Sequence, residues 1–136
     1  MELADLKRFA LAAREFSLAV GDPARHPACH VSLRIPTQHE VDVAARRSGL
    51  SAISDDQAAH VVLSRSLLLL GVVGWSGVTV GDVLPDSAEA ADVLPYEPGA
   101  VELLLDAQPE WAQAMYTALI DRMVKRKEAK DTAAKN

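Results

Sequence analysis

A nearly continuous apolar segment, residues 58–73, is the feature that most constrains how this chain of 136 residues folds. Three adjacent residues interrupt it, Ser64, Arg65 and Ser66. A helix that is apolar on nearly all sides has to be covered by neighbouring elements or by a partner chain. The segment therefore predicts a central helix through residue 73 that ends at Gly74, since glycine suits the left-handed turn that terminates many helices.

The same segment argues against a membrane protein. The longest apolar run in the chain, residues 67–75, overlaps its end and has nine residues, whereas a helix needs about 20 to cross a bilayer. The first residues also lack the basic-then-apolar order of a secretory signal. The sequence thus predicts a cytoplasmic protein without a membrane partner.

Two short segments of alternating polarity precede the central helix, at residues 16–20 and 29–35. The stretch between them contains glycine and two prolines, which is typical of a turn. Together they predict a β-hairpin at about residues 16–35. A lone hairpin is only marginally stable in water, so we expect it to pack against helices or against another copy.

Four further helical segments are indicated. A helix is predicted near residues 2–14, and Thr37 with Glu40 forms a capping box for a helix that runs to Arg47. A second capping box begins at Ser54. A short helix follows at residues 99–106, and Pro109 suits the first turn of a last helix. Four residues of this last helix recur at helical spacing and are predicted to face the central helix: Trp111, Met115, Leu119 and Met123.

These patterns predict a mainly α-helical (α+β) fold, a helical domain of about four helices with a small N-terminal hairpin. The domain would cover residues 1–124. The connection at residues 79–98 is predicted to be a long surface loop. Beyond Lys125 the sequence turns polar, so the last helix is expected to fray into a basic, mobile tail at residues 125–136.

The net charge of −5 conceals a strong segregation of charge along the chain. Residues 1–65 are balanced, with eight bases and eight acids, whereas residues 66–121 contain nine acids and no base. Residues 122–136 sum to +4. Because phosphate neutralisation drives non-specific nucleic-acid binding, the acidic body argues against such binding, and no specific nucleic-acid partner is expected. The basic end is typical of a solvated terminus, although it could contact an acidic partner.

No pattern of residues predicts catalysis or a cofactor. Cys29 lies close to His26 and His30, and thiolate and imidazole groups are good zinc ligands. However, neighbours in a strand point to opposite faces, and only His39 or His60 could add a further ligand. The sequence also lacks a P-loop, a dinucleotide-binding glycine motif and a nucleophile elbow. We therefore expect no catalytic residue, no metal site and no cofactor.

Several motifs occur in an order that resembles the tail assembly chaperones of long-tailed bacteriophages. The motif Gly-Trp-Ser-Gly-Val, residues 74–78, follows an apolar helix. Before it stands Leu-Arg-Ile-Pro-Thr, residues 33–37; after it come Val-Glu-Leu-Leu, residues 101–104, and Pro-Glu-Trp, residues 109–111. The likeness spans roughly residues 16–124. It departs from the family at residues 82–92, which look like an insertion in a loop that is usually shorter.

The resemblance implies a non-enzymatic function in virion morphogenesis. Such proteins bind the tape measure protein, keep it soluble, help to recruit the major tail tube protein, and leave before the virion is complete. The expected location is the host cell cytoplasm, with self-association. The residues implied to bind a partner come from residues 61–75 and the last helix: Val62, Leu67, Leu70, Val73, Trp75 and Trp111.

Two further hypotheses remain. Family members are often made in a longer form by translational frameshifting, and Ala134-Lys135-Asn136 can be encoded by a slippery sequence. The basic tail would then link this domain to a second one. The alternative function is a structural part of the virion, either a tail completion protein or a head–tail connector.

Overall fold

A three-stranded antiparallel sheet organises the part of the chain that the computed structural model describes, residues 1–47 and 57–135. The strands lie in sequence order and comprise β1 (Glu15–Ala19), β2 (His30–Arg34) and β3 (Val72–Ser76). The described residues also form six α-helices: α1 (Leu3–Ala12), α2 (Gln38–Arg47), α3 (Gln57–Gly71), α4 (Val80–Val83), α5 (Val101–Ala107) and α6 (Pro109–Lys135). A 3-10 turn (Pro98–Ala100) leads directly into α5. The mixed α+β class is as predicted, but the described residues contain more helices than four.

The predicted hairpin is present as β1 and β2. Phe16 pairs with Leu33 and Leu18 with Val31, so these four side chains lie on one face of the sheet. Val31 and Leu33 are fully buried there, while Phe16 and Leu18 are partly buried. Since strand side chains alternate between faces, the opposite face carries small and polar residues such as Ser17 and Ser32.

The prediction that the central helix continues through residue 73 is wrong. Helix α3 ends at Gly71, and residues 72–76 form β3 against the free edge of β2. An apolar run cannot be assigned to helix or strand by periodicity alone, and the β-branched pair Val72 and Val73 favours a strand. The register shifts between Ser32 and Leu33, which leaves Val73 as the extra residue of a bulge.

The core lies between the sheet, α3 and α6. The stripe predicted on the last helix is confirmed: Trp111, Met115 and Leu119 are buried, and Met123 is partly buried against the same cluster. From α3, Leu67 and Leu68 enter this core, and Val101 and Leu104 enter it from α5. Aliphatic side chains and one methionine therefore supply most of the buried volume.

Residues 79–98, predicted to be a long surface loop, contain regular structure. Helix α4 begins with a capping box between Thr79 and Asp82, and Thr79 forms an isolated antiparallel bridge with Val93. The amides of Val80 and Gly81 donate hydrogen bonds to the carbonyls of Asp92 and Ala90. The connection is therefore a hydrogen-bonded unit that closes on itself.

The two ends of the chain are helical. Helix α1 forms as predicted but buries no side chain. Helix α6 continues to Lys135, whereas fraying was expected beyond Lys125. The capping box expected at Ser54 lies outside the described residues. No helix in the described ranges is long and apolar enough to cross a membrane.

Candidate functional site

The structure separates the six predicted partner-binding residues into three environments. Leu67 is 2% exposed and Trp111 is 6% exposed, so both belong to the core. Trp111 also contacts the His26 ring edge-on, with ring centroids 5.2 Å apart. Both side chains are therefore covered in this conformation, and neither adds to an exposed apolar face. Val73 is partly exposed at the bulge in β3.

Trp75 holds a loop against the sheet. It is partly buried on β3, and its indole Nε1 donates a hydrogen bond of 2.8 Å to the carbonyl of Leu94. The Trp75 and Tyr96 rings meet edge to face at 5.1 Å, and the Tyr96 hydroxyl donates to the Val72 carbonyl. These contacts connect residues 94–96 to β3, so Trp75 has a structural role in this conformation.

The remaining two predicted residues lie on an exposed apolar surface of α3. Val62 is 49% exposed and Leu70 is 42% exposed. Leu69, which was not predicted, is exposed to a similar degree and lies seven residues after Val62, on the same helix face. We call Val62, Leu69 and Leu70 the α3 stripe. Large apolar side chains grouped on one exposed face typically mark a contact with another protein.

A second surface feature is a groove that the sequence did not predict. It has a volume of about 710 Å³ and lies between the segment that follows β2, the start of α2 and the last turns of α6. Apolar side chains line part of it: Ile35, Pro36, Val41, Met123 and Val124. Its charged residues are Arg14, Arg126, Lys127, Lys130 and Asp131. We call it the basic groove. The positive charge of residues 122–136 was the one indication of this groove in the sequence. Its apolar floor includes residues from a distant part of the chain, among them Ile35, Pro36 and Val41.

The wall of this groove is set by Arg14 and by the start of α2. The Arg14 guanidinium donates to the carbonyls of Ile35 and Pro36, both at 2.9 Å. Burial lowers the pKa of Arg14, and the neighbouring positive charge of Arg126 lowers that pKa further. The predicted capping box of α2 is confirmed, since the amides of Thr37 and Glu40 each donate to the other's side chain.

The most connected polar side chain that the sequence interpretation missed is Asp82. It is 7% exposed and accepts hydrogen bonds from the amide and hydroxyl of Thr79. Its Oδ1 lies 2.9 Å from Nε2 of His26, and its backbone carbonyl accepts from Gln108. The capping-box spacing of Thr79 and Asp82 was the local signal. The contact with His26, 56 residues away, had none.

The thiol of Cys29 is buried and weakly acidic. It is 1% exposed, and burial, together with the charge of Asp82, raises its pKa to about 11. Because the thiolate is the reactive form, a raised pKa is typical of a structural cysteine. Within residues 1–47 and 57–135 there is no cluster of three or more His, Cys, Asp or Glu side chains that could hold a metal ion.

Comparisons with known proteins add no relative. No family model matches this chain. No curated protein and no solved structure matches it either.

Proposed function

We propose that this chain is a tail assembly chaperone of a long-tailed bacteriophage, a non-enzymatic protein that acts in the host cell cytoplasm. It binds the tape measure protein, helps to recruit the major tail tube protein and leaves before the virion is complete. The support from the sequence is the ordered set of motifs from residue 33 to residue 111.

The α3 stripe is the observation that carries the proposal. Val62, Leu69 and Leu70 present an apolar surface on a helix whose opposite side, including Leu67, is anchored in the core. An elongated helical client offers apolar side chains at helical spacing, and packing two such surfaces together removes both from water. The anchored side holds the stripe in position before the client arrives.

The proposed contact surface therefore includes fewer of the six residues than the resemblance implied. Val62 and Leu70 contact the client, and Leu69 joins them. Leu67 and Trp111 support the stripe from within the core. Trp75 maintains the fold next to the carboxyl end of α3 through its bond to Leu94.

The test is coexpression with the tape measure protein encoded by the same phage. We expect the wild-type chain to keep that protein soluble and to copurify with it. The double variant Val62→Gln, Leu70→Gln should lose at least about tenfold of the copurified client, since polar side chains remove the apolar contact. Glutamine is a good helix former, so circular dichroism should show unchanged helix content.

The control is Leu103→Gln on α5, which changes a leucine outside the stripe that is 60% exposed. It should retain the client. Failure of the wild-type chain to bind the tape measure protein would overturn the proposal. Stoichiometric amounts of the chain in purified virions would instead favour a tail completion or head–tail connector protein.

A further inference from the structure

The basic groove contains positive charges that residues 1–47 and 57–135 leave largely uncompensated. Arg126, Lys127 and Lys130 make no ion pair within the part of the chain that the structure describes. Arg14 donates to backbone carbonyls and not to a carboxylate. Asp131 is the one acid among the groove residues. Four cations around an apolar floor therefore favour a ligand that is both acidic and apolar.

The same chain carries a surface of that chemistry. Residues 84–93, which we call the acidic loop, expose Asp86, Glu89 and Asp92. Two apolar side chains stand among these acids, Leu84 at 60% exposure and Val93 at 73%. No basic residue occurs between residues 66 and 121, so the negative charge of this loop has no local compensation in sequence.

The acidic loop is a fixed surface. Hydrogen bonds from Val80 to Asp92 and from Gly81 to Ala90 close its ends, and turns at Ser87 and Ala90 shape its interior. Binding a preformed loop costs less conformational entropy than ordering a disordered one. The loop can therefore act as the projecting half of an interface.

The loop and the groove lie at opposite ends of α6. The base of the loop is attached near the start of the helix, where Gln108 donates to the Asp82 carbonyl. The groove lies near its end, between Met123 and Asp131. Some 15 residues of helix separate them, on the order of 25 Å at 1.5 Å per residue. The loop thus cannot enter the groove of its own chain.

We propose that the acidic loop of one copy docks into the basic groove of the next, so that the chain associates with itself head to tail. A pair joined in this way keeps one free groove on the first copy and one free loop on the second, so such a heterologous contact continues into a ring or an open filament. The apolar floor favours this occupant over a nucleic acid, because Leu84 and Val93 can cover apolar side chains that a phosphate backbone would leave wet.

Two double variants test the proposal by sedimentation velocity at low salt. The groove variant is Arg126→Ala with Lys130→Ala, and the loop variant is Asp86→Ala with Asp92→Ala. All four side chains are exposed, so the fold should persist. The wild-type chain should form dimers and larger species as its concentration rises, and each variant alone should associate at least about tenfold more weakly.

An equimolar mixture of the two variants gives the decisive result. The groove variant retains its loop and the loop variant retains its groove, so the mixture should form dimers and nothing larger. Lys7→Ala with Arg25→Ala, which removes the same charge elsewhere on the surface, should associate like the wild type. High salt should dissociate the wild-type species, since it screens exposed charges.

Other results would overturn the proposal. These are a wild-type chain that stays monomeric at every concentration, a groove variant that associates like the wild type, and a mixture that forms species larger than dimers. So would a monomeric wild-type chain whose groove captures the tape measure protein or a labelled RNA. The test needs no client, so its failure leaves the proposed function to be judged by coexpression.

Discussion

Arg34 and Glu40 form a bidentate ion pair between β2 and α2. Two guanidinium nitrogens of Arg34 donate to the two carboxylate oxygens of Glu40, each at 2.8 Å, and the Thr37 amide donates to the same carboxylate. The Arg34 hydrogen bonds lower the pKa of Glu40 from its ordinary value of 4.5 to about 2, against the opposing effect of burial. The pair connects the end of β2 to the first turn of α2.

This pair predicts a specific loss of stability in acid. Because the pKa of Glu40 is depressed in the folded state, its stabilisation is complete above about pH 4.5 and is lost as the pH falls towards 2. The variant Glu40→Gln should be less stable at pH 7 by about 1–2 kcal/mol, allowing for solvent screening. Urea unfolding from pH 7 to pH 2 measures the difference.

The control for this prediction is Asp42→Asn on the exposed side of α2. It should follow the wild-type pH profile with a small offset. In Glu40→Gln, the free energy of unfolding should change less with pH in the acid range. Equal slopes for wild type and Glu40→Gln would show that this carboxylate does not carry the stabilisation.

At the level of individual residues, contacts within one helical turn can be predicted from the sequence, whereas contacts between distant residues cannot. The capping box of Thr37 and Glu40 was predictable, because both residues lie within one helical turn. The bidentate ion pair between Arg34 and Glu40 was not predictable, because it depends on where β2 ends. Asp82 is similar: its cap with Thr79 is local, whereas its contact with His26 requires the tertiary fold.

At the scale of elements, β3 depends on the turn that ends it. Gly77 has φ of +75°, and a Cβ at this position would overlap the carbonyl of Ala28. Val78, the residue after this turn, is fully buried, and its carbonyl accepts a hydrogen bond from the Leu94 amide. Glycine is thus required here both by its conformation and by the close approach of another backbone.

The variant Gly77→Ala should reduce the free energy of unfolding by about 2–4 kcal/mol, because it combines a strained φ with a backbone clash. Thermal unfolding followed by circular dichroism measures the loss. The matched control is Gly99→Ala, where an added methyl meets no atom within 4 Å and φ is not positive. It should be neutral or slightly stabilising. Similar midpoints for the two variants would contradict this assignment.

Individual helices could be predicted from the sequence where a cap or an apolar stripe was distinct, although their number and some of their ends could not. The stripe from Trp111 to Leu119 predicted which face of α6 is buried, because period and composition agree there. The boundary between α3 and β3 could not be predicted, because apolar residues continue across it. Competition for the free edge of β2 decides where the helix stops, and that edge exists only once the hairpin has packed.

For the whole molecule, the core ends well before α6 does. Leu119 is fully buried and Met123 partly buried, whereas every described side chain from residue 124 to residue 134 is exposed. Arg122 stacks over the Phe16 ring at 4.7 Å and closes this end of the core. Residues 124–134 contribute to the basic groove and little to the stability of the fold.

Removal of residues 126–136 should therefore shift the thermal midpoint by less than about 2 °C, the effect of a surface change in a domain of this size. It should also abolish the head-to-tail association, since Arg126, Lys127 and Lys130 are lost. A truncation after residue 118, which removes Leu119 and Met123, should prevent folding. A large drop in the midpoint for the shorter deletion would show that the end of α6 supports the core.

The sequence by itself determined the hairpin, the capped start of α2, the buried face of α6 and the segregation of charge. Each of these depends on residues that lie close together in the chain, or on a period that one element imposes. The tertiary structure alone decided that residues 72–76 form a strand and that Leu67 and Trp111 are covered. It also decided that the basic end of α6 meets Ile35 and Pro36 in a groove. The physical reason is that burial and pairing are properties of two surfaces, and the partner surface comes from a distant part of the chain.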